Sequence, residues 1–505
     1  MSNSVTKNAL RNIAFGSLNR VTALLLPFVT RTVTLQLLGA SYLGIGTLFS
    51  SILSFLSLTE LGLGSAIVYS MYKPIAENDT HTIGALLSFY KKLYRIIGII
   101  VLVLGTLILP LVPFLIKGDA PTGINVYVLY YIYLVNSVIS YFFAGYRQSL
   151  LTAHQRSDIT SNISSVVNIC VQAGQILALC LTHNFYVYAF VPIVGTLSTN
   201  FVNWIITTKK YSHIKCNGDI SDDTKNEIKR KITGLFGTKL NSIVVHSADT
   251  IVISAFLGLT LTAQYGNYYY IMNAVCGFVA VFYTSITAGV GSKLVTDGVE
   301  SNLRLFKNLS FINAWMVSWC CVCFLCLYEP FMKLWVGEEM SLGIEFVVLM
   351  VAYFFIYEIQ RTVLTFKDAA GLWNKDKMRP YVSMTVNVVS NLLLVQFFGI
   401  YGIVLSTILA FMISLPWANH VLFKNLFQRN SIQNIFSIFK YFVITVASCI
   451  ATYFVCGFCG DTMAWFIVRV VMCVIIPNLI MLLCFYRTQE FEYLKAKIGS
   501  FIKRA

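Results

Sequence analysis

The chain has 505 residues, of which 57% are hydrophobic and only 12% charged, and its mean hydropathy is +0.72. Soluble domains average roughly 45–50% apolar and 25% charged residues, so this balance excludes a water-soluble enzyme, a disordered chain and a secreted disulfide scaffold. It reads as an all-α polytopic membrane protein. The formal net charge is +15, from 37 Lys and Arg against 22 Asp and Glu, and its placement along the chain decides what it means.

About 20 apolar residues cross a bilayer as a helix. In chain order such runs predict about fourteen spans, near 13–38, 42–70, 95–116, 126–150, 159–182, 186–207, 232–257, 264–290, 308–328, 344–366, 381–398, 401–421, 437–458 and 463–485. The run at 232–257 is polar and the one at 381–398 is short. Residues 1–12 are polar, with no cleavable signal pattern.

Lys and Arg alternate with these spans. Thirty of the 37 fall in segments on the side of the N-terminus, two (Lys117 and Lys333) on the other side, and five (Arg20, Arg31, Lys239, Arg361 and Arg469) inside spans. Because basic loops stay in the cytoplasm, both termini are expected there, and the basic charge reads as insertion topology plus attraction to anionic membrane lipid. Nucleic acid finds no support as a partner.

The longest inner loop separates the first six spans from the next six. Weak echoes link the halves: Leu38-Gly39 with Leu257-Gly258, Gly62-x-Gly64-Ser65 with Gly289-x-Gly291-Ser292, and Tyr90-Lys91-Lys92-Leu93 with Phe306-Lys307-Asn308-Leu309. The expected organisation is residues 1–208 as an N-terminal lobe of helices 1–6 and 209–231 as a cytoplasmic linker. A C-terminal lobe of helices 7–12 follows over 232–424, then helices 13–14 and a basic tail over 425–505.

A charge at mid-bilayer is costly and normally faces water or a partner. Arg20 and Arg31 lie 11 residues apart in the first span, so at about 100° per residue they fall roughly 20° apart, with Pro27 between them. The seventh span carries Lys239, Ser242, His246 and Asp249 within an arc of about 80°. Glu60 sits in the second span, while Glu358 and Arg361 in the tenth lie at ion-pair spacing. Each has a blander reading: snorkelling for Arg20, Arg31 and Lys239, and a packed, hydrogen-bonded ring for His246. Jointly, two helices with mostly cationic stripes suit an anionic headgroup, a phosphate or pyrophosphate above all.

Thirteen cysteines include Cys320, Cys321, Cys323 and Cys326 in span nine and Cys456-x-x-Cys459 after span thirteen. Without paired metal-ligand spacing they read as packing residues, with a Cys456–Cys459 disulfide left open. No metal, cofactor or catalytic residue is expected. Glu329, Glu338 and Glu339 in the longest outer loop read as solvated carboxylates.

The stretch Glu60-Leu-Gly-Leu-Gly-Ser-Ala through Tyr72-Lys73-Pro74, then Phe89-Tyr-Lys-Lys-Leu-Tyr-Arg95, resembles polysaccharide-biosynthesis flippases of the Wzx type. Gly289-Val-Gly-Ser292 through Leu305-Phe-Lys-Asn-Leu309 is the counterpart in the second half. These flippases belong to the multidrug/oligosaccharidyl-lipid/polysaccharide exporter superfamily, and the resemblance runs over essentially the whole chain. It implies a MATE-like fold of two six-helix lobes in a V, with the first and seventh spans lining a cavity.

The resemblance further implies a non-enzymatic transporter in a bacterial cytoplasmic membrane. It would flip an undecaprenyl-pyrophosphate-linked oligosaccharide to the outer leaflet, alongside polysaccharide polymerase machinery. Arg20, Arg31 and Lys239 are then the substrate-binding candidates, and Asp249, Glu60 and His246 the ion-coupling candidates. A cation-coupled drug exporter and a membrane polymerase or ligase are the rival readings. The drug exporter would favour acidic cavity walls, and the enzyme a polar catalytic loop.

Overall fold

In the computed structural model, residues 2–57, 62–460 and 462–502 are described. Among them the structure is helical throughout, with no strand. The chain divides into two compact units, Met1–Ala263 and Gln264–Ala505.

The first unit contains α1 (Ser2–Leu37), α2 (Ala40–Leu56), α3 (Leu63–Ala76), α4 (Thr80–Ile108), α5 (Val126–Phe142), α6 (Gln148–Ala153), α7 (Ser157–Thr182), α8 (Phe185–Lys210) and α9 (Asp222–Leu257). Polar residues mark several starts. The side chains of Asp79, Asn125, Asn184 and Ser221 each accept a hydrogen bond from a first-turn backbone N–H, satisfying donors that helix geometry leaves open. The core lies where α2, α4 and α5 meet, with Ile45, Phe49, Leu86, Leu129 and Tyr130 fully or almost fully buried. A β-carbon on Gly44 would collide with the Leu259 carbonyl, so glycine there permits α2 to pack directly on the backbone that follows α9. Helix α9, the seventh span in the sequence reading, falls within this first unit.

The second unit begins inside α10 (Leu259–Thr296). It continues with α11 (Val299–Val336), α12 (Gly343–Ile359), α13 (Arg361–Ala369), α14 (Arg379–Phe398), α15 (Ile400–Leu422), α16 (Ile432–Cys456), α17 (Met463–Phe485) and α18 (Gln489–Ile502). An aromatic cluster of Phe306, Phe366, Phe423 and Phe427 ties α11, α13 and the turn after α15 together. A fully buried polar seam joins α14 to α15: Asn387 Nδ2 donates to Thr407 Oγ1 at 2.9 Å, and the Ser406 hydroxyl donates to Asn391 Oδ1. Such bonds hold helices together where lipid provides no hydrophobic drive. The two last long helices dock on α11 around Phe311, α17 through Met481 and Phe485 and α16 through Tyr441 and Ile444.

Eleven helical segments among the described residues are long and apolar enough to cross a membrane, and a twelfth forms if α5 and the 145–153 segment, bent by 53°, count as one. The other two expected spans are α1 and α2. α1 is interrupted by Arg20, Arg31 and four threonines between 22 and 34, and α2 has only 17 residues. Large apolar side chains such as Leu107, Phe114, Leu181, Phe397 and Phe454 stand out from the surface, an amount of exposed hydrocarbon suited to lipid rather than water.

Candidate functional site

The first unit contains two adjoining cavities of about 240 and 480 Å³. They share the walls formed by Ser50, Tyr133, Gln175 and Tyr188. The smaller is closed on one side by α1, which presents Pro27, Thr30, Arg31 and Thr34. The larger runs along α5 and α8, past Asn136, Ser137 and Tyr141.

The packing of α1 against α7 explains how this face is held. Thr30 and Thr34 are buried; the Thr30 hydroxyl donates to Gln172 Oε1, and the Thr34 hydroxyl donates to the Thr30 carbonyl at 2.8 Å. On the facing helices Gln175 Nε2 donates to the Tyr188 carbonyl at 3.3 Å, and Thr196 Oγ1 to Asn136 Oδ1 at 2.9 Å. Further along α1, Ser165 Oγ donates to Asn19 Oδ1 at 3.3 Å. The base of α1 is pinned by charge: Arg11 Nε lies 2.7 Å from Asp158 Oδ2, and Arg156 Nε 2.9 Å from Asp158 Oδ1.

Arg31 is the only formally charged side chain among the described residues lining these two cavities. The remaining walls are amides, hydroxyls and phenols with some apolar surface. Such a lining can donate and accept hydrogen bonds around a polyhydroxylated group, and its one cation favours an anion.

The other expected residues are distributed differently. Arg20 is exposed and lines neither cavity. Along α9, Lys239 and Ser242 are exposed, His246 is half-buried and Asp249 is fully buried, so that stripe runs from surface to interior. Glu60 lies outside the described residues. The Glu358–Arg361 ion pair is present, with Arg361 Nε 2.9 Å from Glu358 Oε2, although a helix break at Gln360 falls between them.

Sequence reasoning missed two features. The neutral lining residues Gln172, Gln175 and Asn136 went unnoticed because only charges within apolar runs were sought. In the second unit, residues assigned to an inner loop form a buried ion cluster: Asp376 Oδ2 lies 2.7 Å from Lys367 Nζ and 2.8 Å from Arg379 Nη2. Arg379 Nη1 also donates to Ser414 Oγ at 2.7 Å. The available signal was Asp376 three residues before Arg379, just after a glycine turn at Gly371.

A family profile described as polysaccharide biosynthesis protein matches residues 9–287. No curated protein matches the chain by sequence. Among solved structures, the chain is similar to the lipid II flippase MurJ in an inward closed conformation, at 15% identity and TM-score 0.69, covering 93% of this chain and 98% of that one. It is also similar to an inward-facing multidrug resistance MATE family transporter of the MOP superfamily, at 14% identity and TM-score 0.60, covering 81% and 97% respectively. A third match is a MOP superfamily transporter from Pyrococcus furiosus described as having a binding pocket of reverse polarity, at 14% identity and TM-score 0.55, covering 84% and 97%. The fold is therefore the one shared by MurJ and the MATE transporters.

Proposed function

Since the chain belongs to the polysaccharide biosynthesis protein family, we propose that it carries a polyprenyl-pyrophosphate-linked oligosaccharide from the inner to the outer leaflet of a bacterial cytoplasmic membrane. The observation that carries this reading is Arg31, a single cation in adjoining cavities otherwise walled by neutral hydrogen-bonding groups. A sugar headgroup cannot cross lipid unaided, because each buried hydroxyl without a partner costs roughly 2–7 kcal/mol. Amide and phenol walls replace those water contacts, and a guanidinium fork matches phosphate oxygens in pairs.

Movement follows by alternating access, with the polyprenyl tail remaining in lipid. The exposed Arg20 and Lys239 are then additional headgroup contacts. Asp249, buried on α9 one turn from His246, is the proposed coupling carboxylate. A headgroup with two negative charges moving outward gains roughly 4–5 kcal/mol per 100 mV of inside-negative potential, so the membrane potential assists the same direction. The cytoplasmic placement of both termini rests on the alternation of basic loops. A drug exporter for lipophilic cations is disfavoured because the charge on these cavity walls has the wrong sign.

The test is a leaflet-accessibility assay in proteoliposomes containing labelled polyprenyl-pyrophosphoryl oligosaccharide. With the protein present, inner-leaflet sugar should become accessible to an external sugar-modifying reagent over time. Equal rates with and without protein would reject the reading.

A further inference from the structure

Three of the thirteen cysteines meet at one point although they come from three helices. The sulfurs of Cys326 on α11, Cys456 at the end of α16 and Cys473 on α17 all lie within 4.8 Å of one another. All three residues are buried and none is in a disulfide. Cys456 pairs across helices rather than with Cys459, the neighbour its sequence spacing offered.

We propose that Cys326, Cys456 and Cys473 form a binding site for a soft, closed-shell metal ion, Cu(I) in the first place. Three sulfurs around one centre at about 2.3 Å stand roughly 4 Å apart, so the observed separations need to contract by less than 1 Å to close on an ion. Soft thiolate ligands select Cu(I) over harder divalent ions, and the carboxylate lining the cavity beside them, Glu329, accepts hydrogen bonds from the hydroxyls of Ser341 and Tyr268. Binding exchanges thiol protons for metal with no change of oxidation state, the protons leaving to water. The net negative charge this leaves, three thiolates on one monovalent cation, is offset in part by Arg469. Its guanidinium donates to the Cys459 carbonyl at 2.8 Å and lines the same small cavity as Cys326 and Cys456. That cavity has a volume of about 150 Å³.

The scaffold around the sulfurs is fixed independently. Trp319 Nε1 on α11 donates to the Cys473 carbonyl at 3.0 Å, and Trp315 Nε1 to Asn478 Oδ1 at 2.6 Å. An ion held here would staple α16 and α17 onto α11. This inference does not depend on the lipid-carrier reading, since Arg31 and its cavities belong to the other unit.

The test uses the full-length protein in detergent, kept reduced under argon and loaded with Cu(I) against a chromophoric Cu(I) chelator. The wild type should retain one ion per chain and unfold at a higher temperature when loaded. Cys326→Ser, Cys456→Ser and Cys473→Ser should each weaken retention by more than the roughly 10- to 100-fold that follows loss of a partner one bond further out. Cys180→Ser, altered at an exposed position of α7, should retain the ion like the wild type. X-ray absorption on the loaded wild type should report sulfur-only coordination, a readout that does not depend on how the variants fold. Failure of the wild type to compete with the chelator, equal retention by all variants, or nitrogen and oxygen ligands in the absorption spectrum would overturn the proposal. So would loss of a pair of titratable thiols in the reduced preparation, which would make the cluster a disulfide.

Discussion

Gly39 and Gly258 adopt the same unusual backbone conformation, φ 99° and ψ 173° at one and φ 97° and ψ 175° at the other. Each stands between two long helices, α1 and α2 in one case, α9 and α10 in the other. This region of φ/ψ space is essentially reserved for glycine, and placing another residue there costs of order 1–3 kcal/mol. The Leu-Gly echo between the two halves therefore has a physical basis: both helix pairs turn on the same strained link.

Gly39→Ala and Gly258→Ala should accordingly both lower the unfolding temperature in detergent, with Gly258→Ala the more damaging. Open space surrounds an added β-carbon at Gly39, whereas at Gly258 it would sit 3.2 Å from the Lys117 carbonyl oxygen. Thermal unfolding followed by size-exclusion fluorescence measures both. Wild-type stability in either variant would show that the link relaxes freely.

The buried cluster of Lys367, Asp376 and Arg379 has Asp376 between two cations, and on the exposed side of the cluster Lys367 also meets Asp368 at 3.1 Å. Removing Asp376 strips Arg379 of its ion partner and leaves Lys367 with Asp368 alone, and breaking such a buried pair is destabilising by about 3–5 kcal/mol. Asp376→Ala should reduce folded yield sharply. Asp376→Ala combined with Lys367→Met should recover part of it, because one orphaned charge goes with the partner. Yield of monodisperse protein from membranes, compared across the single and double variants, reads the difference. A double variant no better than the single would mean that the ions are held by other contacts.

What could be read in the residues depended on distance along the chain. The membrane class, most of the spans and the Glu358–Arg361 pair were legible, because hydropathy and one-turn spacing are local properties. Arg31 was legible as a charge inside an apolar run, but its surroundings were not, since Gln172, Tyr133 and Tyr188 line its cavity only through packing of α1, α5, α7 and α8. The cluster at Asp376 was hidden for a different reason: loop charges near a span end satisfy the topology rule whether they are solvated or buried. Cys326, Cys456 and Cys473 share no spacing motif at all. Their meeting follows from how α16 and α17 dock on α11.

His154 gives the first unit a pH dependence. It lies between α6 and α7, tilted 36° against the Tyr211 ring with centroids 4.3 Å apart, and Nδ1 donates to the Leu150 carbonyl at 2.8 Å. Burial pushes the imidazole below its ordinary value of 6.5, reinforced by the positive charges of His213 and Lys210 and opposed by the Leu150 carbonyl. The unfolded chain therefore binds this proton more readily than the folded one. Its contribution to stability is intact above pH 6.5 and is lost as the pH falls below that value towards the folded pKa. Unfolding temperature should drop on mild acidification in the wild type and drop less in His154→Gln. Parallel pH profiles in the two proteins would remove His154 from the account.

Arg31 is the residue on which the transport reading stands. A hydrogen bond to a charged group contributes about 1.5–3 kcal/mol, equivalent to roughly 10- to 150-fold in affinity, so Arg31→Ala should weaken headgroup binding by that factor in the proteoliposome assay. Arg31→Gln should behave like Ala, because it keeps hydrogen bonding but loses charge. Arg31→Lys should recover part of the rate, since it restores the charge without the paired donors of the guanidinium. Arg20→Ala, altered at an exposed position outside both cavities, should have the smaller effect. The comparison separates charge from packing: a site that only needed volume would rank Gln with Lys rather than with Ala. Should Arg31→Ala move the labelled lipid as fast as the wild type while remaining correctly inserted, these cavities do not hold the anion, and the headgroup must be sought elsewhere on the protein.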